Sequence, residues 1–366
     1  MKPKNFIALA ALLAGLFPSF SYAAPLAQWK VALYGRSTDD SLSSSKTVGV
    51  AGIVNLIHEL APSLQARFFG GVLLETGSSS ALFTNEFEPR SRLLMQEASL
   101  RWSFLRSFSL VGGVLDQRHH GSPLLVESGS FPAAMLAYDS GPGGFIAHAD
   151  AQAAIPVSRS YSTRALGKDS TPLLLTQKVI LGWEDQLTDF KALLRATHFK
   201  YAGLTHGLAQ DSRFYGNAIV GPGVASTFLY DYEGVEGGAD FKIPLARPLH
   251  WNLGASYLQN LKGPREADEG AYAYTGFTLR TPGMIIKPAV QWYRNQSDSA
   301  PGFFSSTEFG HNNRRGVGAS LRFELKNPGL QLEVKARRSR LIQPFAFQRN
   351  QFDYVEFSLE MPYANF

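Results

Sequence analysis

Residues 316–340 read GVGASLRFEL, then KNPG, then LQLEVKARRSR, and this stretch decides the fold class. In the first arm Val317, Ala319, Leu321 and Phe323 alternate with Gly318, Ser320, Arg322 and Glu324. In the second, Leu332, Val334 and Ala336 alternate with Glu333, Lys335 and Arg337. A period of two residues is that of an extended strand with one apolar and one polar face. Asn327-Pro328-Gly329 between the arms supplies the turn residues of a tight reversal. The stretch is therefore a hairpin of two strands of about ten residues, the length of a tilted β-strand that crosses a bilayer.

The same pattern recurs along the chain. About sixteen strand cores are expected, at 27–37, 48–56, 64–75, 94–104, 108–117, 132–139, 145–155, 173–184, 190–200, 228–243, 251–259, 271–281, 284–294, 316–325, 330–340 and 352–361. The gaps between them alternate. Residues 38–46, 77–92, 118–131, 157–170, 202–227, 261–270, 296–313 and 342–351 form long polar loops. Residues 58–63, 105–106, 140–144, 186–189, 244–250, 282–283 and 326–329 form short turns. The segment 132–139 starts on Pro132, which a strand tolerates at its first residues. Counting it keeps every long loop on one side. Long loops on one side and short turns on the other are the signature of a transmembrane antiparallel β-barrel.

The tryptophans fit this parity. Trp29, Trp102, Trp183 and Trp251 fall on the short-turn side and share the apolar register, with Phe104, Phe108, Phe145, Phe190, Phe241 and Phe323 at the same level. Trp292 falls on the opposite rim. Aromatic rings collect at membrane interfaces because one end is apolar and the other meets water.

Composition sets the compartment. Residues 1–23 read as a secretory signal peptide, with Lys2 and Lys4, an apolar run from Phe6 to Phe17 and the small-x-small site Ser21-Tyr22-Ala23, leaving 24–366 as the barrel. The chain has no Cys, which excludes disulfides, thiolate metal sites and a lipid-modified cysteine. Losing Lys2 and Lys4 lowers the net charge from +5 to +3, too little to point to nucleic acid.

The polar register places Lys30, Arg67, Arg101, Lys178, Lys191, Arg195, Arg280, Lys287, Arg322, Lys335 and Arg337 inward, with Glu75, Glu97, Asp150, Glu184, Glu236, Asp240, Glu324, Glu333, Glu356 and Glu360. A lone charge facing lipid at mid-depth costs about 2–4 kcal/mol, so this face lines a wet lumen. Sixteen strands enclose a bore too wide for side chains to fill. The mixed wall either braces neighbouring strands or sets a transverse field, and its small basic excess implies a weak anion preference at most.

At the level of architecture the mature chain resembles the Gram-negative porins. The resemblance implies passive diffusion of small hydrophilic solutes, residence in the outer membrane, export through the periplasm and possible homotrimers, with no cofactor and no catalysis. Phe366 resembles the terminal aromatic that the barrel-assembly machinery reads. Glu360 and Pro362 share its register where the family is apolar, so the last strand is expected to end near Met361 with a short tail. General porins carry an acidic constriction loop after the fifth strand. Here that loop is 118–131, holding Arg118, His119, His120 and Glu127, without the family's Pro-Glu-Phe-Gly-Gly motif. It is expected to fold into the pore, seated by Leu124, Leu125 and Phe131, with Glu127 facing Arg322 or Lys335.

Two other readings differ in class. His120-Gly121-Ser122 has a spacing similar to the active-site pair of outer-membrane phospholipases and lipid A deacylases, in which a His base activates a Ser. Pro123 stands where those esterases have Asn, and their pair faces lipid. A plugged adhesion barrel would have the same strands. Finally, Arg315, Arg338 and Arg340 fall in the apolar register at the extracellular ends of two adjacent strands, where arginine costs about 0–1 kcal/mol. Lipopolysaccharide phosphates match their guanidinium groups, so these three are expected to bind that lipid.

Overall fold

The computed structural model describes residues 26–40, 43–82, 86–120, 122–127, 129–141, 144–157 and 169–365, with backbone alone at 119, 120 and 224. The signal-peptide reading and Phe366 lie outside the described residues.

Sixteen antiparallel strands form one closed sheet. They are β1 Leu26–Asp39, β2 Ser43–Ala61, β3 Leu64–Ala81, β4 Arg92–Leu105, β5 Phe108–Asp116, β6 Ser130–Asp139, β7 Phe145–Ala154 and β8 Leu173–Asp185. The second half holds β9 Phe190–Ala202, β10 Glu233–Ala246, β11 Leu249–Asn260, β12 Glu269–Arg280, β13 Met284–Asn295, β14 Arg314–Leu325, β15 Gln331–Leu341 and β16 Gln351–Glu360. Each strand pairs with the next, and β1 closes on β16 from Ala32↔Glu360 to Asp39↔Asp353. Closure has a physical cause: an unpaired backbone amide in hydrocarbon costs several kcal/mol, and a closed sheet has no edge.

The alternation holds throughout. Leu194 and Val317 are 58% and 60% exposed on the lipid side, while Thr197, on the strand of Leu194, and its ladder partner Lys178 are 3% exposed inside. Trp29, Trp102, Trp183 and Trp251 all lie near strand ends on the short-turn side, and Trp292 lies near the long-loop end of β13. Trp102, Phe104, Phe108 and Tyr138 make a run of ring contacts at centroid separations of 5.5, 6.2 and 5.1 Å, part of the lower aromatic belt.

Several boundaries depart from the sequence reading. The first long loop, 38–46, is mostly strand: Thr38 pairs with Ser45 and Asp39 with Ser44. β3 likewise runs on to Ala81, so β2 and β3 rise together beyond the membrane band. The turn expected at 244–250 narrows to Arg247-Pro248, with a register shift between Pro244 and Ala246. Phe228 is not in β10; Thr227–Phe228 pairs with Ile219–Val220 in a loop hairpin. That loop also carries a helix, α1 His206–Phe214, whose first turn is capped by Thr205 Oγ1 accepting from the Leu208 amide at 3.2 Å. The tail after β16 is not loose: Ala364 and Asn365 resume pairing, with Trp29 and Gln28. In each case the pairing partner, which a linear reading does not supply, extends or moves the element. The side assigned to each loop is unchanged.

Candidate functional site: the constricted lumen

Two loops fold into the extracellular half of the barrel and meet there. The first, 117–129, is closed at its neck by the Gln117 amide donating to Gly129 O at 2.8 Å. Leu124, Leu125 and Val126 are 0–1% exposed, and Phe131 at its exit is 1% exposed, so the expected apolar seat is present. The second, 296–313, had no sequence signal for entering the pore. Its backbone is tied down by side-chain amides: Asn217 Nδ2 donates to Ser297 O at 2.6 Å and Ala300 O at 3.0 Å. Asn217 Oδ1 accepts from the Gly302 amide at 2.6 Å, and Asn312 Nδ2 donates to Ala300 O at 2.6 Å. The six Asn and Ser residues of this loop read as solvent-facing; here Asn312, with Asn217 from another loop, holds turns that no strand ladder could satisfy.

The two loops share a core. Phe304 packs edge-on to Phe131 at 5.2 Å and stacks on Tyr201 at 6.1 Å. Phe309 stacks on Tyr293 at 4.7 Å. Burying apolar side chains inside a polar bore stabilises the infolded state by roughly 1.5–3 kcal/mol per large side chain.

Glu127 does not face the basic wall. Its carboxylate accepts from Ser306 Oγ at 2.6 Å, from the Thr307 amide at 2.7 Å and from Thr307 Oγ1 at 3.0 Å. Burial, and then the nearby Glu308 carboxylate, raise its affinity for a proton above the ordinary carboxylate value. The acid that meets the wall is Glu308 of the second loop, 2.8 Å from Lys335 Nζ and 3.0 Å from Arg337 Nη2. Sequence reasoning missed Glu308 because nothing local marks loop 296–313 as inward.

The wall itself is charge-paired. Lys30 meets Glu360 at 2.6 Å, Arg67 meets Glu97 at 3.3 Å, and Lys178 meets Asp150 at 3.0 Å. Lys191 meets Glu184 at 2.9 Å, and Arg195 meets Asp240. Lys287 meets Glu324 at 2.6 Å, Arg322 meets Glu333 at 2.9 Å, and Lys335 also reaches Glu356 at 3.3 Å. Arg280 bends to the periplasmic turn, where it meets Asp189 at 2.8 Å beside Lys242 and His250. Among the expected lumen cations Arg101 alone has no carboxylate at ion-pair distance among the described residues. Arg118 is held by Asp116 at 2.6 Å and Gln96 Oε1 at 3.0 Å.

Glycines let these side chains lie flat. A Cβ on Gly318 would stand 2.3 Å from Arg337 Cδ, and one on Gly238 would stand 2.6 Å from Arg195 Nε. Each is the direct ladder neighbour of its arginine. Below the joined loops a cavity of about 360 Å³ remains, lined by Arg118, Glu127, Asp240, Tyr272, Tyr274 and Glu308 among others. Ser122 also lines it and is 4% exposed, with Oγ accepting from the Leu124 amide at 3.2 Å. Ser122 therefore faces the lumen and not lipid; the side chains of His119 and His120 lie outside the described residues.

No protein-family model matches the chain, and no curated protein matches it in sequence. Solved structures do. OprB of Pseudomonas putida, in its high-pH structure, is 10% identical, with 93% of this chain and 94% of that chain covered and a TM-score of 0.56. The BenF-like porin of Pseudomonas fluorescens Pf-5 is 9% identical, with 93% and 99% covered and a TM-score of 0.53. OmpT of Vibrio cholerae lacking loop L8, an outer membrane protein, is 7% identical, with 93% and 100% covered and a TM-score of 0.50. At such identities the likeness is one of fold. The closed wall described above and this shared architecture give the chain the fold of a sixteen-stranded porin-like β-barrel.

Proposed function

We propose that the protein is a diffusion channel for small hydrophilic solutes, narrowed by loops 117–129 and 296–313, with weak ionic selectivity. The observation that carries this reading is the meeting of two loops inside a closed barrel beside a cavity of about 360 Å³ lined by Arg118, Asp240 and Glu308 among others. Solutes descend their gradient past Glu308, Asp240 and Arg118, groups already engaged with wall partners. A wall of compensated charges attracts neither sign strongly, so any anion preference is weak. Small neutral or zwitterionic polar solutes fit such a passage best.

Single-channel recording in planar bilayers, with reversal potential in a salt gradient, tests the proposal. Discrete steps with a reversal potential near zero are expected. No conductance in the parent protein, and none after removal of residues 122–127, would establish a plugged barrel instead. Trimer formation and recognition by the barrel-assembly machinery belong to the same reading. They are checked by cross-linking in native membranes and by assembly of a chain lacking Phe366.

A further inference from the structure

The outer surface carries a row of cations that the wall neutralises only in part. Arg294, Arg315 and Arg340 are direct ladder partners across β13, β14 and β15, one row of three guanidinium groups. Adjacent strands lie about 4.8 Å apart, so the row spans about 10 Å. Its side is fixed by register: Trp292, Val317 and Arg338 form the next row on the same face, and Val317 is 60% exposed there. The row stands one ladder pair above Trp292, about 7 Å farther from the membrane centre along the strand. That is headgroup depth, just outside the upper aromatic belt.

Like charges directly opposite on a sheet repel. Two arginines at the margins are partly compensated, Arg294 by Glu269 at 3.4 Å and Arg338 by Asp353 at 2.6 Å. Arg315 and Arg340, opposed to each other, meet no carboxylate at ion-pair distance among the described residues. A repelling pair of exposed guanidinium groups facing the outer leaflet is electrostatically complete only with an anion supplied from outside the chain.

We infer that Arg294, Arg315 and Arg340 form a binding site for the phosphate groups of lipopolysaccharide in the outer leaflet. Phosphate is the matching group because its oxygens accept bidentately from guanidinium, and arginine holds such groups better than a point-charged lysine. The lipid is the favoured source because the row faces the membrane side and not the lumen, where free phosphate would pass. Arg338 is positioned to bridge the same headgroup only at the expense of Asp353.

The test uses the full-length protein extracted from outer membranes in mild detergent. Lipopolysaccharide that co-purifies is counted by native mass spectrometry for the parent, for Arg315→Gln with Arg340→Gln, and for Arg315→Lys with Arg340→Lys. Retention is expected to fall about tenfold in the Gln pair and less in the Lys pair. Heat-modifiable migration confirms that each variant is folded, and single-channel conductance is expected to equal that of the parent. Lipid-stripped parent protein is then heated with purified lipopolysaccharide, with its dephosphorylated form, or with inorganic phosphate. Stabilisation by the first alone supports the site. Equal stabilisation by dephosphorylated lipid, equal stabilisation by inorganic phosphate, or full lipid retention by the Gln pair overturns it.

Discussion

The two faces of β14 and β15 handle arginine in opposite ways. Inward, Arg322, Lys335 and Arg337 each meet an acid, drawn from β15, from β16 or from loop 296–313. Outward, on the same two strands, Arg338 meets Asp353, but Arg315 and Arg340 face each other with no carboxylate at ion-pair distance among the described residues. The difference follows from what each face can recruit. The lumen is closed on all sides by the same chain, so every uncompensated charge must be answered internally or sets a field on the pore. The outer face has no opposing wall of the same chain, so Arg315 and Arg340 can stay open to what surrounds it. The inner pairs brace the wall, and on the inference above Arg315 and Arg340 are the two outer groups open to bind.

The largest expected effect breaks an inner pair. Lys178 and Asp150 have side chains that are 3% and 0% exposed. Lys178→Met removes one of two cations at a buried carboxylate, since His148 Nε2 stays 2.8 Å from Asp150 Oδ2, and is expected to cost at most about 3 kcal/mol. The readout is the temperature at which the folded band is lost in gel electrophoresis, and adding Asp150→Leu is expected to recover much of the loss. An unchanged temperature in the single variant would mean that His148, not Lys178, compensates Asp150.

Next in size is the effect of opening the constriction. Deleting residues 122–127 removes Leu124, Leu125, Val126 and Glu127 and is expected to raise conductance severalfold. If conductance stays at the parental level, loop 296–313 alone sets the narrowest point.

A smaller change unbalances the wall. Glu308→Gln leaves Lys335 with Glu356 and Arg337 with no acid at ion-pair distance among the described residues, so reversal potential is expected to move toward anions in dilute salt. Arg322→Glu with Lys335→Glu is expected to move it toward cations. Both shifts should vanish near 1 M salt, where screening acts over about 3 Å. Arg315→Gln with Arg340→Gln is expected to leave the potential unchanged, which separates the outer face from the inner one.

The smallest expected effect is on pH. Burial and Glu308 raise the proton affinity of Glu127 in the seated loop. A carboxyl with a raised value favours its neutral form in the seated loop, so the seating as a whole is firmest in acid, although the hydrogen bonds from Ser306 and Thr307 favour the carboxylate. The seating weakens as pH rises through that raised value. Channel closures are therefore expected to become more frequent or noisier with rising pH, and Glu127→Gln should abolish the trend. A trend that persists in this variant assigns it to another group.

Much of the barrel was legible in the chain because alternation and turn chemistry are local. Val317 to Phe323 against Ser320 to Glu324 states which way each residue faces, and Asn327-Pro328-Gly329 states where the chain reverses, with Gly329 at φ +86°. Strand number, loop parity, the tryptophan belts and the inward set that includes Lys178, Arg195 and Lys335 followed from that period. The apolar seat of Leu124, Leu125 and Phe131 was legible as well, since three such side chains have no place in open water. What only the tertiary structure decided was which groups meet. Strand ends moved where a neighbour offered pairing, as at Asp39 and Ser44. Loop 296–313 entered the bore because Asn217, from a different loop, held its turns. Glu308 took Lys335 and Arg337 while Glu127 turned to Ser306 and Thr307. Direction along a strand is set by the backbone of that strand alone, whereas the partner of a charge depends on closure of the sheet and on loops that arrive from far along the chain.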